Sequence, residues 1–199
     1  LVAANEEFFS LLSDEACTER NILNFIKDKK YYHIIGSIIW GLSINIGNHG
    51  AYLFPEFQLG NSYKADYLLM GKSSGGYEFI FIELESPYGN ITLKDGQLGA
   101  EFRDGISQLE DWKRWLPANY SSFGEVMRKH KNSALDLPEE FYVLDMSRFH
   151  YVVISGRRSD FQDKTYIIKR ERKKADDIDI IHYDNLYDFS NNLIGKLTY

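Results

Sequence analysis

Three carboxylates stand close together in a stretch that otherwise reads as β-structure. Asp66 lies within Tyr63-Lys64-Ala65-Asp66-Tyr67-Leu68-Leu69-Met70, and Glu83 and Glu85 close the run Phe79-Ile80-Phe81-Ile82-Glu83-Leu84-Glu85. Residues two apart on a strand project to one face, so Glu83 and Glu85 point together while Ile82 and Leu84 point the other way. Asp66 can face the same pocket if the two strands pair as neighbours. Three acids at the end of an apolar strand are costly to ionise, because like charges raise one another's pKa and burial adds to the penalty. A hard divalent cation is the simplest remedy, and oxygen ligands without cysteine favour Mg²⁺ or Mn²⁺ over zinc. Such an ion would lower the pKa of a bound water and offset the charge that develops at phosphorus during attack. Each acid alone reads equally well as a strand-end residue facing water or paired with Lys or Arg, and spacing alone does not separate the two readings.

Other chemistries find less support. His33, His49, His130, His150 and His182 share no H-E-x-x-H spacing, which argues against a histidine metal site. No G-x-S-x-G elbow is present, and Cys17, the only cysteine, falls in a segment that reads as helix with no evident base. A single cysteine also excludes intrachain disulfides and cysteine-based zinc sites. The run Gly71 to Gly76, GKSSGG, lacks Walker spacing and reads as the hairpin turn between two strands. Trp40, Trp112 and Trp115 read as core or interface residues rather than base-stacking platforms.

The elements that must position the acids follow from hydrophobic periodicity. Residues 5 to 27 read as helical, with Phe8, Leu11, Leu12, Ile22, Leu23 and Ile26 at helical spacing, and Tyr32 to Ile46 as helical or mixed. After a turn at Gly47 to Gly50 the pattern changes to strand over Tyr52 to Phe57 and Tyr63 to Met70. Phe79 to Ile82 is apolar on both faces, as a buried central strand is. Ser86 to Gly99 reads as loop. An amphipathic helix is expected from about Gly99 to Leu116, with Phe102, Leu109, Trp112 and Leu116 on one face and Pro117 ending it. A short basic helix over 121 to 132 and a strand from Phe149 to Ser155 follow. Asp160 to Lys174 reads as helix or hairpin, Ile178 to Tyr183 as strand and Leu186 to Ile194 as a closing helix, with Asp184 as its N-cap. Strands alternating with helices imply an α/β fold with a mixed central sheet covered on both sides.

The 199 residues suffice for one sizeable core and are short for two, so a single domain is expected. Hydrophobic residues make up 44% and charged residues 26%, ordinary globular composition with no disorder-prone run. No stretch reaches the apolar length of a membrane span and no signal segment opens the chain, so a cytoplasmic address is expected. The chain opens at Leu1 rather than Met, which suggests further sequence upstream. A net charge of -6 argues mildly against passive nucleic-acid binding. Basic groups nevertheless cluster at Arg128, Lys129, His130 and Lys131, at Arg157 and Arg158, and through Lys169, Arg170, Arg172, Lys173 and Lys174. Each cluster can be a solvated face, and the three together keep a phosphate-bearing partner in play.

The order acid, glycine turn, apolar strand, acid-x-residue and then a Gln-bearing helix resembles the PD-(D/E)xK nuclease core. More specifically, PEFQLGNSYKADYLL, FIFIELESP, ISQLEDWKRWL, YVVISGRR and IIHYDNLYDF, in this order, look like the nuclease domain of Shedu proteins. ERNILNFIKDKKYYHII is similar to the helical lead-in of such domains, so the likeness runs from about residue 19 to 199, with 1 to 18 as further helical lead-in. The resemblance implies a restriction-endonuclease-like sheet flanked by helices and a metal-dependent DNA endonuclease acting in bacterial defence against phage. It also implies a homo-oligomer beside an N-terminal sensing region. Carried over by motif, Asp66 and Glu83 would be metal ligands, position 85 the third catalytic position, and Gln108 the helix-borne helper.

One departure matters: the general motif carries Lys at the third position, and this chain has Glu85. A lysine there positions or deprotonates water and offsets charge, whereas a glutamate adds another metal-binding oxygen. Glu85 can then serve as ligand or general base, a lysine can have migrated, or catalysis can be lost. Lys64, two residues before Asp66 and so expected on its face, is the migration candidate, with an exposed strand lysine as its plain alternative. The competing reading of the whole chain is a catalytically silent DNA-sensing or assembly module. A carbohydrate-active enzyme is weaker still, since acids two apart on one strand do not flank a glycosidic bond.

Overall fold

The computed structural model describes residues 1–46, 50–131, 134 and 136–196. Five strands form one sheet in the order β1 (Ala51–Leu59), β2 (Tyr63–Ser73), β3 (Gly76–Leu84), β4 (Phe149–Ile154) and β5 (Ile178–Ile181). β1, β2 and β3 pair antiparallel through hairpins, whereas β3, β4 and β5 run parallel. The sheet is therefore mixed. GKSSGG is the β2–β3 hairpin as expected, although Gly71, Lys72 and Ser73 still belong to β2 and only Ser74 and Gly75 make the turn. Of the turn expected at 47 to 50, residues 47–49, His49 among them, lie outside the described residues.

Alternation along β3 divides the core. Phe79 and Phe81 pack with Tyr151 and Val153 beneath a long helix, α5 (Ala100–His130), whose Phe102, Leu109, Trp112 and Leu116 are all buried. Ile80, Ile82 and Leu84 pack on the opposite face against α1 (Val2–Leu12), α2 (Glu19–Lys29) and α7 (Tyr183–Asn192). Each face buries an apolar layer, which is why the central strand has no polar side. The short α3 (His33–Gly36) and α4 (Ile38–Gly41) complete the second layer, and α6 (Asp163–Asp176) leads into β5. No helix among the described residues is long and apolar enough to cross a membrane.

Five expectations need correction. Residues 5 to 27 are two helices, because Thr18 caps a new one: its Oγ1 accepts from Asn21 N at 3.2 Å while Asn21 Oδ1 accepts from Thr18 N at 2.9 Å. Buried Cys17 consequently lies in a connection rather than a helix. Pro117 does not end α5, which continues to His130 through a kink at Asn119 (φ −131°, ψ 20°), where the Asn119 amide donates to the Trp115 carbonyl at 2.9 Å. The basic segment at 121 to 132 is thus the far half of the same helix. The N-cap of α7 is His182, whose Nδ1 accepts from Asn185 N, and not Asp184, whose carboxylate holds Arg157.

Candidate active site

The carboxylates gather where β2 begins and β3 ends. Asp66, Glu83 and Glu85 are 8%, 7% and 9% exposed. The β2–β3 ladder stops at Tyr67 and Ile82, and beyond it Asp66 Oδ2 accepts the Leu84 N–H at 2.8 Å, so a side chain replaces the next rung. Alternation slips at this point, since Ala65 and Leu68 both enter the core under α5. The neighbouring strand deforms beside it, with Glu56 at φ +50° between Pro55 and Phe57. A non-glycine residue at positive φ is strained, and here it marks the corner at which the two strands turn around the acids.

Glu83 and Glu85 continue the face of Phe79 and Phe81 and so look toward α5. The Gln108 amide donates to Glu85 Oε1 at 3.3 Å, and the same amide favours the ionised form of Glu83. Gly105 makes this approach possible: a Cβ there would stand 2.6 Å from Val153 Cγ2 and 2.9 Å from Glu85 Cγ. From the other side, the buried Tyr183 hydroxyl donates to the Glu85 carbonyl at 2.7 Å. Glu83 Oε2 is buried without a hydrogen-bond partner. Such an orphan is uncommon in a native interior and requires a reason.

All three acids are held toward their protonated forms. Burial raises the Asp66 pKa most and the charge of Glu19 adds to it, while the Leu84 N–H, Lys64 and Arg20 pull it back. Glu83 is raised by burial and then by the charges of Asp66, Glu85 and Glu19. Burial, followed by Glu19, Glu101 and Asp104, lifts Glu85 to about 8. Removing carboxylates from water while crowding them together penalises ionisation twice. Among the described residues none of the three acids takes part in an ion pair; of the two basic groups that act on Asp66, Lys64 is paired with Glu56, and Arg20 reaches it only through its charge.

The donor set is all oxygen, which fits a hard divalent ion, and the partnerless Glu83 oxygen offers a ligand. The side chains are not already closed around such a position: among the described residues no group of three His, Cys, Asp or Glu could hold a metal ion. Lys64, the candidate for a migrated lysine, pairs its ammonium with Glu56 at 3.0 Å, where Glu56 also takes Lys27 at 2.9 Å, and acts on Asp66 through its charge.

Sequence reading found Asp66, Glu83, Glu85 and Gln108, which the fold brings together, and missed Glu19, Glu101, Asp104 and Gly105. Glu101, Asp104, Gly105 and Gln108 fall at helical spacing along one face of α5, a signal that was available. Glu19 opens α2 in the opposite layer, and no local pattern links it to strands far along the chain. The basic clusters are neutralised in part. Arg157 grips Asp184 through Nε and Nη2, Arg158 pairs with Asp188, Arg172 with Glu110 and Asp176, and Lys173 with Asp177 and Asp179. Arg128 lies 4.4 Å from the Tyr142 ring centroid and Lys131 pairs with Asp136. The His130 side chain lies outside the described residues. Of the other histidines, His33 meets Asn5 at 3.0 Å and His150 meets Glu78 at 3.0 Å.

Sheet and site together define an α/β domain with a mixed five-stranded sheet, flanked by helices and carrying a cluster of buried acids at the β2–β3 end. The model of the family described as "Shedu protein SduA, C-terminal" matches residues 16–187, and the chain belongs to that family. No curated protein matches the chain.

Proposed function

We propose that this chain is a Mg²⁺- or Mn²⁺-dependent DNA endonuclease domain acting in defence against phage, with a restriction-endonuclease-like core of the PD-(D/E)xK type. The observation that carries the reading is the buried, partnerless Glu83 Oε2, on a carboxylate that feels the charges of two further acids whose protonated forms are favoured. Family membership supports the defence role. Asp66, Glu83 and Glu85 would hold the ion, which supplies positive charge for a phosphodiester and acidifies water. Asp66 keeps one oxygen on the Leu84 N–H, which fixes its orientation and leaves the other for binding. Glu85, whose carboxyl is lifted to about 8 without an ion, would give up its own proton when the ion binds beside it and would then serve as the base for the attacking water. Gln108 holds Glu85 Oε1, and Gly105 leaves room for both. In this reading double-stranded DNA is the substrate, and the domain works in the cytoplasm within a homo-oligomer beside an N-terminal regulatory region.

A second reading, a silent DNA-sensing or assembly module, is favoured by Glu85 at the lysine position and by side chains not closed around an ion. Supercoiled plasmid incubated with the protein and Mn²⁺ or Mg²⁺ separates them. The nuclease reading expects nicking or linearisation that EDTA abolishes and Glu83→Ala removes. Cleavage that persists unchanged in Glu83→Ala would contradict it, and a parent protein that shifts DNA in a gel without cutting it selects the silent module.

A further inference from the structure

On the α5 side of the sheet, a recess of about 620 Å³ runs between the β1–β2 turn and the kinked helix. Gln58, Asn61, Trp115, Asn119, Ser122 and Lys129 line it. Gly60 (φ +61°) closes one wall so tightly that a Cβ there would stand 2.6 Å from Trp115 Cζ2, which clamps the indole against the turn. Trp112, one turn earlier, is fully buried, whereas Trp115 is only partly so. The kink shapes the recess from the other side: Asn119 leaves helical geometry and spends its amide N–H on the Trp115 carbonyl, so its side-chain oxygen is left to accept.

The recess is in register with the candidate active site. Gln108, Trp115, Ser122 and Lys129 repeat every seven residues, which keeps them near one line along α5. Gln108 marks the acids. Trp115 lies seven residues on, about 10 Å at 1.5 Å per residue, which is about three nucleotides at 3.4 Å per stacked base. On the other wall Ser62, just ahead of β2, lies four residues before Asp66, up to about 13 Å at strand rise, so the two walls stand roughly three to four nucleotides from the acids.

The chemistry of the lining selects the ligand. An indole, two carboxamides and a hydroxyl suit a flat heterocycle with donors and acceptors on its edge. Lys129 is the cation available for a phosphate, and Glu125, which also faces the recess, keeps its charge near neutral. A near-neutral recess of this kind is suited to a base rather than to a phosphate backbone, which calls for clustered cations. We infer that the Trp115 recess is a nucleobase-binding subsite for a nucleotide displaced from pairing in the duplex, about three positions from the phosphodiester at the acids. The sequence had suggested core or interface for Trp115, and the subsite rests on the nucleic-acid part of the function proposed above.

The test is fluorescence anisotropy in EDTA, so that no cutting occurs, with the full chain and a fluorescein-labelled single-stranded oligodeoxynucleotide of about 12 nucleotides. The parent binds, and Trp115→Ala weakens binding by roughly 5- to 150-fold, the range expected for loss of one stacked base. Trp115→Phe restores most of the affinity and abolishes the tryptophan quenching that accompanies binding. Because Gly60 leans on the indole, a second variant avoids the core: Gln58→Ala with Asn61→Ala, both exposed, weakens binding about 2- to 10-fold. Unchanged affinity in folded Trp115→Ala or in the double variant overturns the inference. So does a parent that binds no oligonucleotide, or displacement of the bound strand by a neutral oligosaccharide. A parent that binds through Trp115 but fails to cut plasmid in Mn²⁺ defeats the nuclease reading and leaves the subsite standing. Cutting with both variants unaffected in binding does the reverse.

Discussion

Glu85→Gln is the substitution through which the electrostatics of the site can be read in stability. The Glu85 carboxyl, lifted to about 8 from an ordinary 4.5, still carries its proton in the folded chain at neutral pH, whereas the unfolded chain has released it. Between those values the folded state binds more protons than the unfolded one, so stability is fully present below the lower value and falls as pH rises through the window. Each pH unit costs about 1.4 kcal/mol, or about 3 kcal/mol by pH 7 as an upper bound, which partial solvation reduces to about 1–2 kcal/mol. Glutamine keeps the shape and does not titrate, and its neutrality also relieves Glu83, which feels the Glu85 charge. The variant should therefore gain about 1–2 kcal/mol at pH 7, about 2–8 °C in Tm for a chain of this size, and nothing near pH 4.5. Urea unfolding followed by circular dichroism across that range, with m held constant, reads the difference. A gap between parent and variant that does not change with pH, or a variant less stable than the parent at pH 8, would refute the reasoning.

Three further outcomes follow from the same geometry. Gly105→Ala drives a methyl into Val153 and Glu85 and should lower stability by about 1–3 kcal/mol, read as a fall in Tm; a variant as stable as the parent contradicts the packing described. Arg157→Ala strips partners from Asp184, the Tyr88 hydroxyl and the Leu12 carbonyl in a largely buried network. Its loss should cost about 2–3 kcal/mol, below the 3–5 kcal/mol typical of full burial, and a change under 0.5 kcal/mol in chemical unfolding would mean that the network is incidental. Lys64→Ala removes a surface pair with Glu56 worth about 0–1 kcal/mol and should leave plasmid cleavage unchanged, whereas a tenfold loss of rate would return a lysine to the chemistry.

What the sequence revealed divides by the range of the interaction. Strand alternation placed Glu83 and Glu85 on one face, and the two-sided apolar run at Phe79 to Ile82 marked the central strand, because both depend on neighbours within a few residues. The face of α5 was legible for the same reason. The helix boundary at Pro117 was misjudged because proline disrupts a helix only where the lost bond and the clash go uncompensated, and here the chain kinks at Asn119 and goes on. Asp184 looked like a cap because acids favour that place, but Arg157, distant in sequence, claims it. Glu19 was invisible as a site residue, since only the stacking of two layers across the sheet carries its charge to Asp66 and Glu83. The pairing of Lys64 with Glu56 likewise depended on a strand neighbour that spacing did not reveal.

The central claim is that Asp66, Glu83 and Glu85 form a place for a divalent cation, and Mn²⁺ titration followed by electron paramagnetic resonance tests it without any substrate. The parent should deplete free Mn²⁺ in a saturable manner that excess Mg²⁺ reverses, and a folded Asp66→Asn/Glu83→Gln variant should leave the free-ion signal undiminished. Equal depletion by both proteins, or none by either, would contradict the account.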